Sequence, residues 1–248
     1  MTPPRTALAL ALLLALFVTL GPGPAQAQDI SISLGEGGSL SGRTIQLIAL
    51  ITVLSLAPGL AIMITSFPFI ITVLSILRQG IGLQQSPPNM LLVSLALFLT
   101  WFVMEPTFTA AWEAGIGPLV AEEITLEEAL PRAIEPFRGF MAARLDAATF
   151  EAMAALRPDS ADIVTGPDAP LSVLVPSFML SEIARAFQIG FLIFLPFLII
   201  DLVIAAVLMS MGMLMVPPAI VSLPFKLAFF VIADGWSLIA ASLVRGYM

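Results

Sequence analysis

A chain of 248 residues that is 59% hydrophobic and 11% charged, with a mean hydropathy of +1.04, lies outside the balance of a water-soluble globular domain. It contains neither cysteine nor histidine, which removes disulfides, thiolate metal sites, the commonest general base and the commonest metal ligand. The composition therefore points away from an enzyme, and no metal or cofactor is expected. A net charge of −7 disfavours nucleic acid as a partner, because phosphate binding needs a basic face.

In chain order, Arg5 precedes an apolar run from Ala7 to Leu20. Gly21-Pro22-Gly23-Pro24 breaks the run, and Ala25-Gln26-Ala27 supplies small residues at the two positions a signal peptidase reads. This order predicts a cleavable signal peptide over residues 1–27 rather than an uncleaved first helix. Residues 28–43 are polar and glycine-rich and read as a flexible periplasmic leader.

Residues 44–104 read as a first membrane hairpin. From Ile45 to Leu77 the chain is almost wholly apolar. As one helix this stretch would run to ~50 Å against a hydrocarbon core of ~30 Å, so a kink or break is expected at Pro58-Gly59 or Pro68. Arg78 closes the segment, and Pro87-Pro88 forces a turn. The return segment, Asn89 to Met104, spans only ~24 Å as a helix before Glu105-Pro106, where it is expected to end.

Residues 105–170 hold 12 of the 17 acidic residues against four arginines, and read as an acidic, helical periplasmic insert. Thr125-Leu126-Glu127-Glu128 has the form of a capping box, predicting a helix from about Leu126 to Leu145, followed by a shorter one near Ala148 to Leu156. Residues 171–248 read as a second hairpin, with an apolar arm from Leu171 to Val216, a turn at Pro217-Pro218 and a return arm from Ala219 to Val244. The fold class is therefore an all-α membrane protein of two kinked helical hairpins with Pro-Pro tips plus a soluble helical insert. With the signal removed outside, the insert and both mature ends are periplasmic and both tips face the cytoplasm, as Arg78 beside the first tip agrees.

Glu182, Arg185, Asp201, Lys226 and Asp234 lie in apolar segments, where an unpaired charge facing lipid costs a few kcal/mol or more. Glu182 and Arg185 are three apart and can pair within a turn. Gln188, one turn further on, would want a partner between helices. Asp201 lies 16 residues before Pro217 and Lys226 eight after Pro218, an approximate match across the hairpin. They suit a structural ion pair, within the hairpin or between subunits, or else a proton relay or ion site. Met209, Met211, Met213 and Met215 alternate before the second tip, with Leu214 among them. That spacing makes no stripe on a helix; it suits either a deformable apolar loop or ordinary membrane packing.

Longer strings resemble a known family. Ile70-Ile71-Thr72-Val73-Leu74-Ser75-Ile76-Leu77-Arg78-Gln79 and Gln84-Gln85-Ser86-Pro87-Pro88-Asn89 are similar to the first hairpin of the FliP family and its injectisome counterparts. In the second half the similarity runs through Ala186-Phe187-Gln188-Ile189-Gly190-Phe191, Asp201-Leu202-Val203, Met209-Ser210-Met211-Gly212-Met213, Pro217-Pro218 and Ser222-Leu223-Pro224-Phe225-Lys226.

The resemblance implies a non-enzymatic core subunit of the flagellar type III protein-export gate, in the bacterial inner membrane at the flagellar basal body. It implies a pentamer of this chain assembled with FliQ, FliR and other export-apparatus proteins around a conduit for unfolded substrates. Met209, Met211, Met213, Leu214 and Met215 would form a sealing gasket, and Asp201 with Lys226 the charged pair, with Glu182 nearby and Arg185 in the same intramembrane network. Leu214 stands where the family commonly has methionine, and Phe69 follows Pro68 where it often has arginine. Two readings from other classes compete: an ion- or proton-coupled carrier using Asp201 and Lys226, and an intramembrane protease using Asp201 and Asp234, although no glycine motif of that chemistry flanks Asp201.

Overall fold

The computed structural model describes residues 40–83, 86–158 and 163–247, all helix, turn or loop among the described residues. The expected signal peptide and most of the leader lie outside them. The chain divides into two units, residues 1–52 and 53–248. The first helix, α1, runs Leu40–Met63, beginning inside the segment expected to be unstructured.

Helix α1 passes through Pro58 without ending. The break falls at 64–66 instead, where the Thr65 hydroxyl donates to the Ile62 carbonyl at 2.9 Å and accepts from the Phe67 amide at 3.4 Å. Pro68 then sits in the first turn of α2 (Phe67–Ile81), where its missing N–H costs nothing. One side chain competing for backbone groups and one proline placed for a helix start thus locate the break.

Helix α2 is the centre of the molecule. Phe69, Ile70, Val73, Leu74, Leu77 and Ile81, spaced three and four apart, are all 2% exposed or less. They pack against α7 (Leu171–Ser210) and α3 (Asn89–Ala111). Two glycines let α2 and α7 approach: a Cβ at Gly190 would lie 2.4 Å from Ile76 Cδ1, and one at Gly80 would lie 3.0 Å from Phe197. Each helix seats the other's bulky side chain over its own glycine.

Helix α3 does not end at Glu105-Pro106. It runs through Pro106 to Ala111, continues as a π-helical turn over Trp112–Ile116, and merges with α4 (Gly117–Val120). The one hydrogen bond that Pro106 removes is outweighed by packing: Met104 and Ala111 are buried, and Phe108 lies between Trp101 and Phe137 with ring centroids at 5.3 and 5.8 Å.

Helix α5 (Leu126–Arg144) opens with the expected capping box, Thr125 Oγ1 accepting from the Glu128 amide and Glu128 from the Thr125 amide. Helix α6 (Ala147–Ala155) is capped by Asp146, which accepts from the Thr149 amide at 2.8 Å. Both pack on the start of α7: Met141, Phe150 and Ala154 share a core with Val173, Leu174 and Phe178. The first third of α7, read from hydropathy as membrane arm, therefore serves the insert as its floor.

The return arm forms α8 (Pro218–Ile232), followed by α9 (Gly235–Arg245) at a 61° bend. Asp234 sits at this bend in the left-handed region (φ 47°). Asn89–Val120 and α7 are each long and apolar enough to cross a membrane, and up to four spans result if each bent pair counts as one.

Candidate functional site

Helix α7 ends at Ser210, seven residues before the Pro-Pro tip, through a Schellman motif. The Met213 amide donates to the Leu208 carbonyl at 3.0 Å and the Gly212 amide to the Met209 carbonyl at 3.1 Å, with Gly212 at φ +74°. Glycine is favoured here because a Cβ costs energy in the left-handed region. Residues 211–217 are thereby released as a loop, and its side chains project: Met215 is 97% exposed and Leu214 80%, with Met209, Met211 and Met213 also exposed. Of the two readings open for the methionines, the loop is the one that forms for Met211, Met213 and Met215. Met209 closes the helix that leads into it.

Behind this loop lies the Asp201–Lys226 pair, Lys226 Nζ donating to Asp201 Oδ2 at 2.6 Å and the Ser222 hydroxyl to Oδ1 at 2.5 Å. The mismatch in sequence distance disappears once the loop is taken out. Asp201 is nine residues from the end of α7 and Lys226 eight from the start of α8, so both lie roughly 12–14 Å behind the tip. Lys226 and Ser222 are buried, whereas a third of the Asp201 side chain is accessible. Each carboxylate oxygen thus has a donor, and the pair works as a clamp holding the two arms in register. Ser222 was not foreseen; its place one turn before Lys226 on the same face was the available clue.

Glu182 does not join this pair. It lies 19 residues earlier on α7, roughly 28 Å away along the helix axis, and forms a second cluster. Arg144 Nε of α5 bonds Glu182 Oε1 at 2.8 Å, the Tyr247 hydroxyl bonds Oε2, and Arg185 reaches Oε1 only at 3.6 Å. The expected Glu182–Arg185 pair is present as the longer of the two arginine contacts. Arg144 also donates to the Gly246 carbonyl at 2.9 Å and stacks 3.7 Å from the Tyr247 ring centroid. Burial, with the Glu182 carboxylate beside it, pushes the Tyr247 phenol well above its ordinary value. Arg144 and Tyr247 are separated from Glu182 by 38 and 65 residues, and nothing in local spacing pairs them.

The other predicted residues fall elsewhere. Gln188 is exposed and makes no hydrogen bond among the described residues. Asp234 accepts from the Ser237 hydroxyl at 3.1 Å and is exposed, while Asp201 is held by Ser222 and Lys226. At the first tip, Arg78 donates to the Pro87 carbonyl and to Asn89 Oδ1, fastening the end of α2 to the start of α3 across Pro87 and Pro88. Among the described residues no group of carboxylates is placed to hold a metal ion.

Fold and composition together define an all-α membrane protein, built on a buried central helix and ending its longest hairpin in an exposed methionine loop. The chain belongs to the FliP family, which it matches over residues 50–243. It is 52% identical over 217 residues to the flagellar biosynthetic protein FliP of Caulobacter vibrioides, covering 86% of this chain and 80% of that protein. It is 50% identical to the FliP of Rhizobium meliloti, covering 85% and 86%. The FliP of Bacillus subtilis is 47% identical, with 82% of this chain and 92% of that one aligned.

Proposed function

We propose that this chain is a membrane subunit of the flagellar protein-export apparatus, and that copies of it assemble with FliQ and FliR in the inner membrane at the flagellar basal body into a gated conduit for unfolded flagellar proteins. The observation that carries this reading is the loop at 211–217. A run of methionines and a leucine held out in the open by a helix-ending glycine and clamped from behind by Asp201 and Lys226 is costly on an isolated chain. Methionine side chains are flexible and polarizable, so several such loops meeting at an axis would close on one another yet yield to passing chains of varied shape. In this reading the residues around Met211, Met213 and Met215 form the seal, and the clamp keeps each loop at a fixed height. The most apolar stretch of α7, little covered within the chain, supplies the surface on which neighbouring subunits pack. This reading takes the topology expected from the sequence, in which a signal peptide is removed outside and the loop lies toward the cytoplasm.

The test is the mass in mild detergent of the chain expressed alone and together with FliQ and FliR from the same genome. A closed oligomer that takes up both partners in fixed ratio is expected. A monomer that ignores them would overturn the reading and bring forward ion-coupled transport through Asp201 and Lys226, which a single chain in a vesicle would have to perform by itself.

A further inference from the structure

A cleft of about 550 Å³ lies between α3 and α9, outside both charged clusters and the methionine loop. Its walls are Phe98 and Phe102 on α3 and Ala240, Ala241 and Val244 on α9, with Arg245 beside them as the last residue of α9. The space exists because the two alanines withhold side-chain volume where a larger residue would meet α3. The aromatic wall is open, Phe98 being 76% and Phe102 56% exposed.

Arg245 distinguishes this cleft from the apolar helix faces around it. Arg78, Arg138, Arg144 and Arg157 all donate to oxygen acceptors within the chain; Arg132 in the insert does not among the described residues, and of it and Arg245 only Arg245 lines this cleft. Arg245 has no carboxylate and no hydrogen-bond acceptor among the described residues, and it stands in the last turn of α9, where the helix dipole favours a cation. An open apolar cleft bordered by an unpaired guanidinium, in a protein whose solvent is a bilayer, suits a hydrocarbon chain joined to a phosphodiester. Guanidinium binds phosphate oxygens through two parallel hydrogen bonds.

We propose that the α3–α9 cleft binds a phospholipid, an acyl chain lying along Phe98, Phe102, Ala241 and Val244 and the headgroup phosphate engaging Arg245, with net-anionic lipids preferred. The bound lipid fills the gap between the two helices and holds α9 against α3 beyond its bend at Asp234.

The experiment is a native-mass titration of the detergent-purified chain with phosphatidylglycerol and, separately, phosphatidylcholine. Wild type is expected to show a saturable phosphatidylglycerol adduct tighter than that of phosphatidylcholine. Arg245→Gln, a change at an exposed position, should weaken both lipids, which share the phosphodiester, and phosphatidylglycerol the more, by about fivefold, so that the preference between them narrows. Arg245→Lys should retain most of the preference. Ala241→Trp should abolish the saturable adduct of both lipids by filling the cleft. Equal phosphatidylglycerol binding by wild type, Arg245→Gln and Ala241→Trp overturns the proposal. So does a change in protein oligomer mass on Ala241→Trp with lipid binding intact, which would make the cleft a contact between protein chains.

Discussion

Glu182 and Asp201 lie on the same helix, and they draw their partners over different spans of the sequence. Asp201 is held by Ser222 and Lys226, the return arm of its own hairpin, and stays one-third accessible. Glu182 is fully buried and held by Arg144 from the insert and Tyr247 near the end of the chain. The first cluster sets the register of one hairpin; the second ties the insert, the long helix and the last turn of the chain into one body. The difference shows that a buried charge reports which elements meet at that depth, and that proximity along one helix does not make a network.

The largest effect that would test this contrast is loss of Arg144. Arg144→Ala leaves the Glu182 carboxylate buried with Tyr247 and the distant Arg185, and should cost about 3 kcal/mol or more in detergent unfolding, with faster amide exchange across α5 and α6. The double variant Arg144→Met with Glu182→Leu should recover much of that loss, because an apolar pair leaves no stranded charge. If the double variant is no better than the single, the cluster is not an isolated electrostatic unit.

Next comes the clamp. Asp201→Asn leaves Lys226 buried without its anion but keeps an amide for Ser222, and water reaches the site, so a loss of about 2 kcal/mol is expected after allowing for screening. Exchange should quicken at the tip ends of α7 and α8 and stay unchanged in the insert. Protection lost equally in both regions would show that the two clusters act as one.

A smaller effect belongs to Gly212→Ala. Nothing lies within 4 Å of the added Cβ, so the cost is that of the left-handed backbone alone, about 1 kcal/mol, with the end of α7 fraying in exchange measurements. Because the native chain has no cysteine, a label introduced at Met215 reports loop position without a competing thiol.

The smallest effect is acid-induced and confined to the insert. Backbone and side-chain hydrogen bonds from Thr125 hold Glu128 below its ordinary 4.5, and those from Thr149 hold Asp146 below its ordinary 3.8. A carboxylate with a lowered folded pKa stabilises the fold above its unfolded pKa, and that contribution is lost as pH falls through the folded value. Amide protection at Glu128 and Thr149 should therefore decline as pH drops below about 4 while the α2–α7 core keeps its protection. Loss beginning near neutrality would contradict these caps as the cause.

Composition alone established a membrane protein, because so apolar a chain has no other solvent. Local chemistry placed the capping box at Thr125, since it depends on residues within a few positions of one another; the second turn, expected at Pro217-Pro218, falls over 211–217, with Pro218 already opening the return helix. The strings around Asp201 and Lys226 carried the family. Tertiary structure decided the rest. Hydropathy does not distinguish an apolar helix facing lipid from one facing protein, so the sequence did not reveal α2 as the buried centre or the start of α7 as the floor of the insert. Proline marks a lost hydrogen bond, yet Pro58 and Pro106 lie inside helices; at Pro106 the packing of Phe108 between Trp101 and Phe137 outweighs that loss. Glu182 found Arg144 and Tyr247 for the same reason: partners dozens of residues apart meet only when the chain folds.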